Sequence, residues 1–557
     1  MPAITVKVAG GPERKCETGA PVGSFAGKNA SREGLPFIAA LVNNDLCSLS
    51  YPLSVNCEVQ FLTMADSHGW RVYRKSLCFL LAMAVKQAYP EAVFSVEHSL
   101  GPGLYCTFRP GGGAEGAKKE EIENVAETMR ELVRARLAIE RHKISYADAV
   151  RQFRDSGQTD KLNLLKYRNP PRVVIHRCRD FSDLAHGPLA PGTGVLKLFE
   201  LVPYSPGFVL HLPDRRQPEG LAPFNDQPHL FRIFQEHKEW GRILGVTTVG
   251  RLNEIIAEGG IGEFIRTAEA LHEEKLAHIA DAVAESSDSV KLVLVAGPSC
   301  AGKTTFAKRL GTHLAVKGLK TAAMSVDDYF VSRDETPKDS EGRPDFERIG
   351  AVDTKLLNEH LRTLAGGGEV EIPSFNFLTG QRERGKKSIR LEEGGTRLLI
   401  VEGIHALNPA VTERIPPETR YGVYISALTQ LRVDSHNRLS TTDNRLMRRI
   451  VRDNVYRGHS ALETLRMWPS VRAGEKAWIF PYQGEAHATF NSALDYELAV
   501  LKTLVEPLLM EIKPWDAEYA EARRLTEFLL NFLATGDKDV PGTSILREYI
   551  GGSSLEY

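Results

Sequence analysis

VLVAGPSCAGKTTFAKRL, residues 293–310, sets Gly297, Gly302, Lys303 and Thr304 in the spacing G-x-x-x-x-G-K-T. The residues before it, 291–296, are apolar and β-branched enough for a buried strand, and 305–315 continue at helical period. The context is therefore strand, loop, helix. Glycines in such a loop let backbone amides close around phosphate oxygens at a helix N-terminus, where the helix dipole also favours an anion. Lys303 adds a point charge for the β and γ phosphates, and Thr304 offers a hydroxyl to Mg²⁺. The stretch predicts an ATP cradle made of Gly297, Pro298, Ser299, Cys300, Ala301, Gly302, Lys303, Thr304 and Thr305. It leaves open where the phosphoryl group goes.

Outward from the loop, strand candidates at 292–295, 321–325, 397–401 and 421–425 alternate with helices, which predicts a parallel, doubly wound sheet. The second strand ends in MSVDDYF (324–330), which puts Asp327 and Asp328 at the carboxyl edge of the sheet, where open α/β sheets bind ligands. A carboxylate facing a γ-phosphate there can accept the proton of an attacking hydroxyl; an Asx turn or a helix cap is the other use of such a pair. RLLIVEGIHAL (397–407) carries Glu402 directly after an apolar run, a position suited to ordering Mg²⁺ or water. His405, alone in the following loop, reads as structural.

In DNRLMRRIVRDNVYRG (443–458), Arg445, Arg448, Arg449 and Arg452 fall at i, i+3, i+4 and i+7 and share one helical face. Like charges at that spacing cost about 0.2–0.5 kcal/mol per pair, which Asp443 and Asp453 relieve in part. The face reads as a lid whose guanidiniums close on phosphate and transition-state charge, or as a solvated basic surface.

In the order phosphate loop, SVDDYF, IPSFNFLTGQR (372–382), VEGI and DNRLMRRIVRD, residues from about 289 to 557 resemble the uridine kinase and phosphoribulokinase family. The resemblance implies a P-loop kinase domain in which Asp327 is the base on a sugar hydroxyl. Asp327, Tyr329, Phe375, Phe377 and Arg382 would lie on the substrate side, the last three matching the family's Y-D-F-x-x-x-x-R pattern. Lys303, Arg448 and Arg452 would act on the transferring group, Arg445 and Arg449 on ATP, and Thr304 and Glu402 on the metal. The pattern departs at Phe375, Asn376 and Gly380, where the family has tyrosine, aspartate and histidine. Three polar handles are altered, so the transfer chemistry is better retained than the identity of the nucleoside.

The front of the chain resembles threonyl-tRNA synthetase. ITVKVAGGPERKCETGAPVGSFA (4–26), IAALVNNDLCSLSYPL (38–53) and VQFLTMADSHG (59–69) look like its TGS module, which implies a β-grasp domain over 1–65. YRKSLCFLLAMAVKQAYPEA (73–92) and DFSDLAHGPLAPGTG (180–194) look like the adjoining α+β editing-type domain, over 70–212. The H-x-x-x-H and C-x-x-x-H sets of that domain fall here on Lys75, Phe79, Ala185 and Leu189. None of these side chains offers the imidazole or thiolate of that site, so hydrolysis of aminoacyl-tRNA by that route is not expected. His176, Cys178 and His186 match no trusted ligand spacing.

A linker with helices over 213–288 joins the front to the kinase-like region at 289–557. The expected architecture is thus multidomain, α/β together with α+β. With 70 basic and 71 acidic side chains, the chain has no global charge bias towards nucleic acid or membrane. On the front helix candidate 118–141, Arg130, Arg134 and Arg136 interleave with Glu127 and Glu131, which is the pattern of a salt-bridged surface. RNA is an open but less favoured partner, and a nucleotide-gated RNA-binding regulator is the competing function. Seven cysteines without a C-x-x-C pair fit a reducing compartment. The apolar stretch 77–85 is too short to span a bilayer and 1–10 has no signal-peptide pattern, so a cytoplasmic protein with a small nucleoside or sugar acceptor is expected, its oligomeric state open.

Overall fold

Every residue of the strand Leu292–Ala296 is buried, because an apolar, β-branched run has a neighbour on each edge. It pairs in parallel with Thr396–Glu402 on one side and Arg420–Ser426 on the other. Lys320–Ser325 and Ala488–Asn491 complete an all-parallel five-stranded sheet in the order Lys320–Ser325, Thr396–Glu402, Leu292–Ala296, Arg420–Ser426, Ala488–Asn491. Such strands are covered on both faces, which explains why they read as continuous apolar runs. The register sets Glu402 opposite both Val295 and Ser325, so the phosphate loop, the start of the Asp327 turn and Glu402 meet at one carboxyl edge. The antiparallel ribbon Glu369–Asn376 and Gln381–Arg390 is a separate pair.

The computed structural model describes residues 3–27, 31–111, 116–168, 170–339, 342–377, 379–391 and 395–556. The chain packs as two units. One comprises Met1–Ala257, Gln430–Ser440 and Leu509–Leu533; the other comprises Glu258–Thr429, Thr441–Leu508 and Ala534–Tyr557 and holds the parallel sheet. The segment 213–288, expected as one connection, is divided between them. It carries the helices Pro228–Ile243, Val249–Ala257 and Ile261–Glu285, the last two separated where Gly259 takes a positive φ of 79°.

In the first unit a mixed five-stranded sheet runs Glu13–Glu17, Ala3–Val8, Cys57–Leu62, Ala39–Val42, Asp45–Cys47. The helix Ser67–Ala88 follows, and its face from Leu77 to Val85 joins Phe94, Phe108, Met129 and Phe208 in one core. That core is closed by a four-stranded antiparallel sheet, Glu200–Tyr204, Gly207–His211, Gly103–Arg109, Val93–Leu100. The charged helix expected over 118–141 ends at Arg134; Arg136 has φ 49°, which stops the helix, and Glu140–Ser145 becomes a strand against Arg172–Cys178. Its basic residues are paired as the pattern suggested, Arg130 with Glu123 and Glu127 and Arg134 with Glu127.

All seven cysteines are free thiols. No described helix is long and apolar enough to cross a membrane.

Leu294 lies at the centre of the parallel sheet and is 3 % exposed. Leu294→Ala is expected to destabilise the protein by about 2–5 kcal/mol through lost burial and the cavity left behind, read as a lowered urea midpoint.

Candidate active site

The phosphate loop is shaped by two close approaches. An ideal Cβ on Gly297 would fall 2.3 Å from the carbonyl oxygen of Ile425, and one on Gly302, where φ is 82°, 2.4 Å from Cγ2 of Ile545. Only glycine fits either position. Cys300 between them also has a positive φ, 57°, and is buried. The helix Lys303–Val316 starts directly after the loop, so its first amides face the space the loop encloses.

Lys303 Nζ donates to the carbonyl oxygen of Pro298 at 3.2 Å. The Thr304 and Ser325 hydroxyls both donate to Glu402 Oε1, at 3.3 and 3.0 Å. Burial and the neighbouring Asp327 push the Glu402 carboxyl up to about 7, against the pull of Lys303. Burial likewise raises Asp327, opposed by Lys303, Arg457 and Arg452, and its Oδ1 is buried without a hydrogen-bond partner. The turn Val326–Tyr329 that presents it is capped by the Ser325 hydroxyl, so the capping role falls to serine and the Asp327 carboxylate stays available. Asp328 is engaged by the Phe375 amide, and burial lifts its carboxyl to about 6.

The Thr304 hydroxyl and the Glu402 carboxyl are hard oxygen donors, the chemistry Mg²⁺ takes, and the unpartnered Asp327 oxygen lies outside that pair. Among the described residues no three His, Cys, Asp or Glu side chains make a closed metal cage. A site with few carboxylates suits a cation that shares its shell with phosphate and water.

Sequence reasoning missed Glu347. Its carboxyl is raised by burial, faces Arg449, Lys303 and Asp327, and leaves Oε2 buried without a partner. It sits outside the regular elements, in a turn with no periodic signal.

Phe375 and Phe377 join Phe330 and Phe346 in a ring cluster with centroids 5.2–6.5 Å apart. The Arg457 guanidinium lies 4.5 Å from the Phe377 centroid. Arg382 pairs with Asp353 at 2.9 Å. Tyr329 is fully buried, with its hydroxyl hydrogen-bonded to His360 Nδ1 at 2.9 Å. The Asn376 amide is used within its own turn, on Glu383 and the Thr379 amide. At Gly380 the Arg333 side chain occupies the space a side chain would need, its Nε 2.6 Å from an ideal Cβ.

The C-terminal segment also reaches the loop. Besides Ile545 over Gly302, Glu548 accepts a hydrogen bond from the Thr305 hydroxyl at 2.7 Å, and the Arg448 guanidinium lies 5.2 Å from the Tyr549 ring centroid.

The arginines of the helix Thr441–Arg457 have partners within the protein. Arg445 Nε donates to the Ser299 carbonyl at 2.9 Å while its other nitrogens grip Glu475, whose Oε1 also takes the Ser299 amide at 3.2 Å. Arg448 donates to Glu497 at 2.6 Å, to the Cys300 carbonyl at 3.3 Å and to the Ser492 carbonyl at 2.8 Å. Arg449 reaches the Ser299 hydroxyl at 2.9 Å. The like-charge face is thus compensated by Glu475, Glu497 and Asp453, and it holds the loop from behind.

Burial would raise the Asp453 carboxyl, but Arg452, Arg449 and Arg457 around it bring it down to about 2. A carboxyl depressed by folding adds stability that is complete above its unfolded value of about 4 and is lost as pH falls through the folded one. Asp453→Asn is therefore expected to cost about 3–5 kcal/mol at neutral pH and to flatten the acid loss of stability, measured by urea unfolding across the acid range.

Residues 292–499 match the phosphoribulokinase / uridine kinase family model. The chain is 29 % identical over 201 residues to the threonine–tRNA ligase of Citrifermentans bemidjiense and 31 % identical over 206 residues to that of Thermotoga maritima. Each match covers 36 % of this chain and 31 % of the ligase, so the chain spans about a third of the length of these curated relatives. Two solved structures are similar at low scores. A candidate fructose transport system kinase from Silicibacter has a TM-score of 0.29 at 18 % identity, over 39 % of this chain and 98 % of that one. A possible uridine kinase from Bacillus stearothermophilus has 0.25 at 15 %, over 36 % and 89 %. The phosphate loop, the carboxyl pair and the arginine helix thus lie in the segment that matches the phosphoribulokinase / uridine kinase family model, in a chain whose N-terminal region is similar to threonine–tRNA ligases.

Proposed function

We propose that the protein is an ATP-dependent, Mg²⁺-requiring kinase that phosphorylates a hydroxyl of a nucleoside or a related sugar-bearing small molecule. The observation that carries this reading is the Asp327 carboxyl, raised by burial above the ordinary carboxylate value and left with an oxygen without a hydrogen-bond partner at the sheet edge beside Lys303.

In the reaction, the acceptor oxygen forms a bond to the γ-phosphorus, the bond from that phosphorus to the bridging oxygen of ADP breaks, and the hydroxyl proton passes to Asp327. Mg²⁺ held by Thr304, Glu402 and phosphate would neutralise charge on the phosphate oxygens. Lys303 leaves the Pro298 carbonyl for the β and γ phosphates, and the loop amides at the helix start hold the phosphates in line. Arg452 and Arg457, which act on Asp327 electrostatically, are placed to meet charge on the transferring group. Arg445 and Arg448 serve by keeping the Ser299 and Cys300 carbonyls turned out of the cradle. The Phe375 and Phe377 rings support an acceptor with a flat or apolar face, held by stacking where Asn376 and Gly380 offer no polar handle.

A panel of nucleosides and pentoses with MgATP identifies the acceptor; ATP turnover independent of all of them would sink the reading. With the best acceptor, Asp327→Asn is expected to lower kcat by about 10²–10⁴-fold while MgATP still binds. Because Asp327 must be ionised to take the proton and its pKa is raised, the acid limb of kcat/KM is expected above the ordinary carboxylate range of about 4 and to disappear in the variant.

If a base stacks on Phe377, Phe377→Ala is expected to raise acceptor KM by about tenfold, the loss of one stacking contact, with little change in kcat.

A further inference from the structure

Between the strand Arg420–Ser426 and the arginine helix, the chain makes a small hairpin, Arg432–Asp434 against Asn437–Arg438. Although it lies inside the family segment, it packs with the first unit. The Ser435 carbonyl accepts the Val96 amide at 2.8 Å. His436 Nδ1 lies 2.6 Å from Asp183 Oδ2, and the other oxygen of Asp183 is 2.8 Å from Lys161 Nζ, an ammonium 1 % exposed. Asp434, fully buried, takes His186 Nε2 at 2.9 Å, and Asn437 donates to the Leu184 carbonyl at 2.8 Å.

These partners lie in the part of the first unit that resembles a synthetase editing site. Asp183, Leu184 and His186 surround Ala185, and the His186 carbonyl accepts from Lys75; both Ala185 and Lys75 stand at lost ligand positions. Phe79 and Leu189, at the other two, are buried in the core. The hairpin therefore hydrogen-bonds the residues on either side of Ala185, the segment that carries one of those positions. At Ser440 the chain leaves the first unit, and at Thr441 it begins the helix whose Arg445 holds Ser299 of the phosphate loop.

We propose that the editing-type domain has become a receptor for this hairpin, an internal ligand, and that docking there steadies the arginine helix and hence the phosphate loop. The front of the protein then regulates nucleotide binding by holding or releasing one short segment of its own chain, and any external ligand of the domain competes with that segment. The nucleotide arm of the test rests on the proposed kinase reading; the exchange arm does not.

The test uses the full chain with Asp434→Ala and His436→Ala combined, and Asn437→Ala as a milder variant. Both leave the Lys161–Asp183 pair intact, and unchanged hydrogen exchange over 67–88 reports that the first unit stays folded. The expected result is faster exchange in 430–440 and, with it, in 441–450, together with MgADP binding weakened about tenfold in the double variant. Faster exchange confined to 430–440 with MgADP affinity within twofold of wild type overturns the proposal, as does no change in 430–440. If the wild-type protein binds no MgADP, the kinase reading fails and exchange alone decides: a joint rise in 430–440 and 441–450 supports the docking device, and a rise in the hairpin alone refutes it.

Discussion

Two buried guanidiniums set the shape of the phosphate loop. Arg445 and Arg448 are almost without solvent, and each donates to a loop carbonyl, Ser299 and Cys300 respectively. Carbonyls drawn backwards keep their lone pairs away from a bound phosphate, which a cradle of this kind needs. Burying a guanidinium is costly unless geometry and counter-charge are both good. Glu475 and Glu497, themselves buried, provide that charge and tie it to the Ser299 amide and to Asn444. The loop therefore depends on residues far beyond it in the chain.

The parts of the site that were legible in the sequence are those whose meaning is local. The loop spacing, the aspartates closing MSVDDYF and the acid ending RLLIVE follow from strand and turn positions, and the parallel register brings them to one edge. The arginine face was legible as a face, since helical periodicity is local too. Its partners were not: Glu475 and Glu497 sit on other elements and carry no spacing that relates them to Arg445 or Arg448. Glu347 was missed for the same reason. The front helix was drawn too long because its charge alternation runs on past Arg134, whereas the backbone turns at Arg136 to start a strand. Periodicity of charge says which side faces water, and it does not say where hydrogen bonding changes from helix to sheet.

On the proposed kinase reading, the ground around Phe375, Asn376 and Gly380 would meet the acceptor. A site that hydrogen-bonds its substrate rejects an analogue lacking the matching group strongly, because its own polar atoms are then left unpaired; a wall of rings discriminates far less. Here Asn376 turns its amide into its own loop, and Arg333 lies across the space beside Gly380. Phe330, Phe346, Phe375 and Phe377 remain. On that reading such a wall would set the shape and flatness of what binds, and would leave hydrogen-bonding identity to the hydroxyl that meets Asp327.

The same distinction between polar and apolar recognition bears on the hairpin. An apolar docking surface would hold a short segment through area alone, which a two-turn slip or a shifted register could satisfy nearly as well. Lys161, Asp183 and His436, with His186 on Asp434, admit one arrangement, because any other leaves a charge buried without its partner. On the proposed docking, the charged groups around Ala185 make that ground selective for a single occupant. A regulatory contact needs that selectivity more than it needs strength: it must be broken by a competitor yet re-form in one geometry, so that the helix beginning at Thr441 returns to the same place each time.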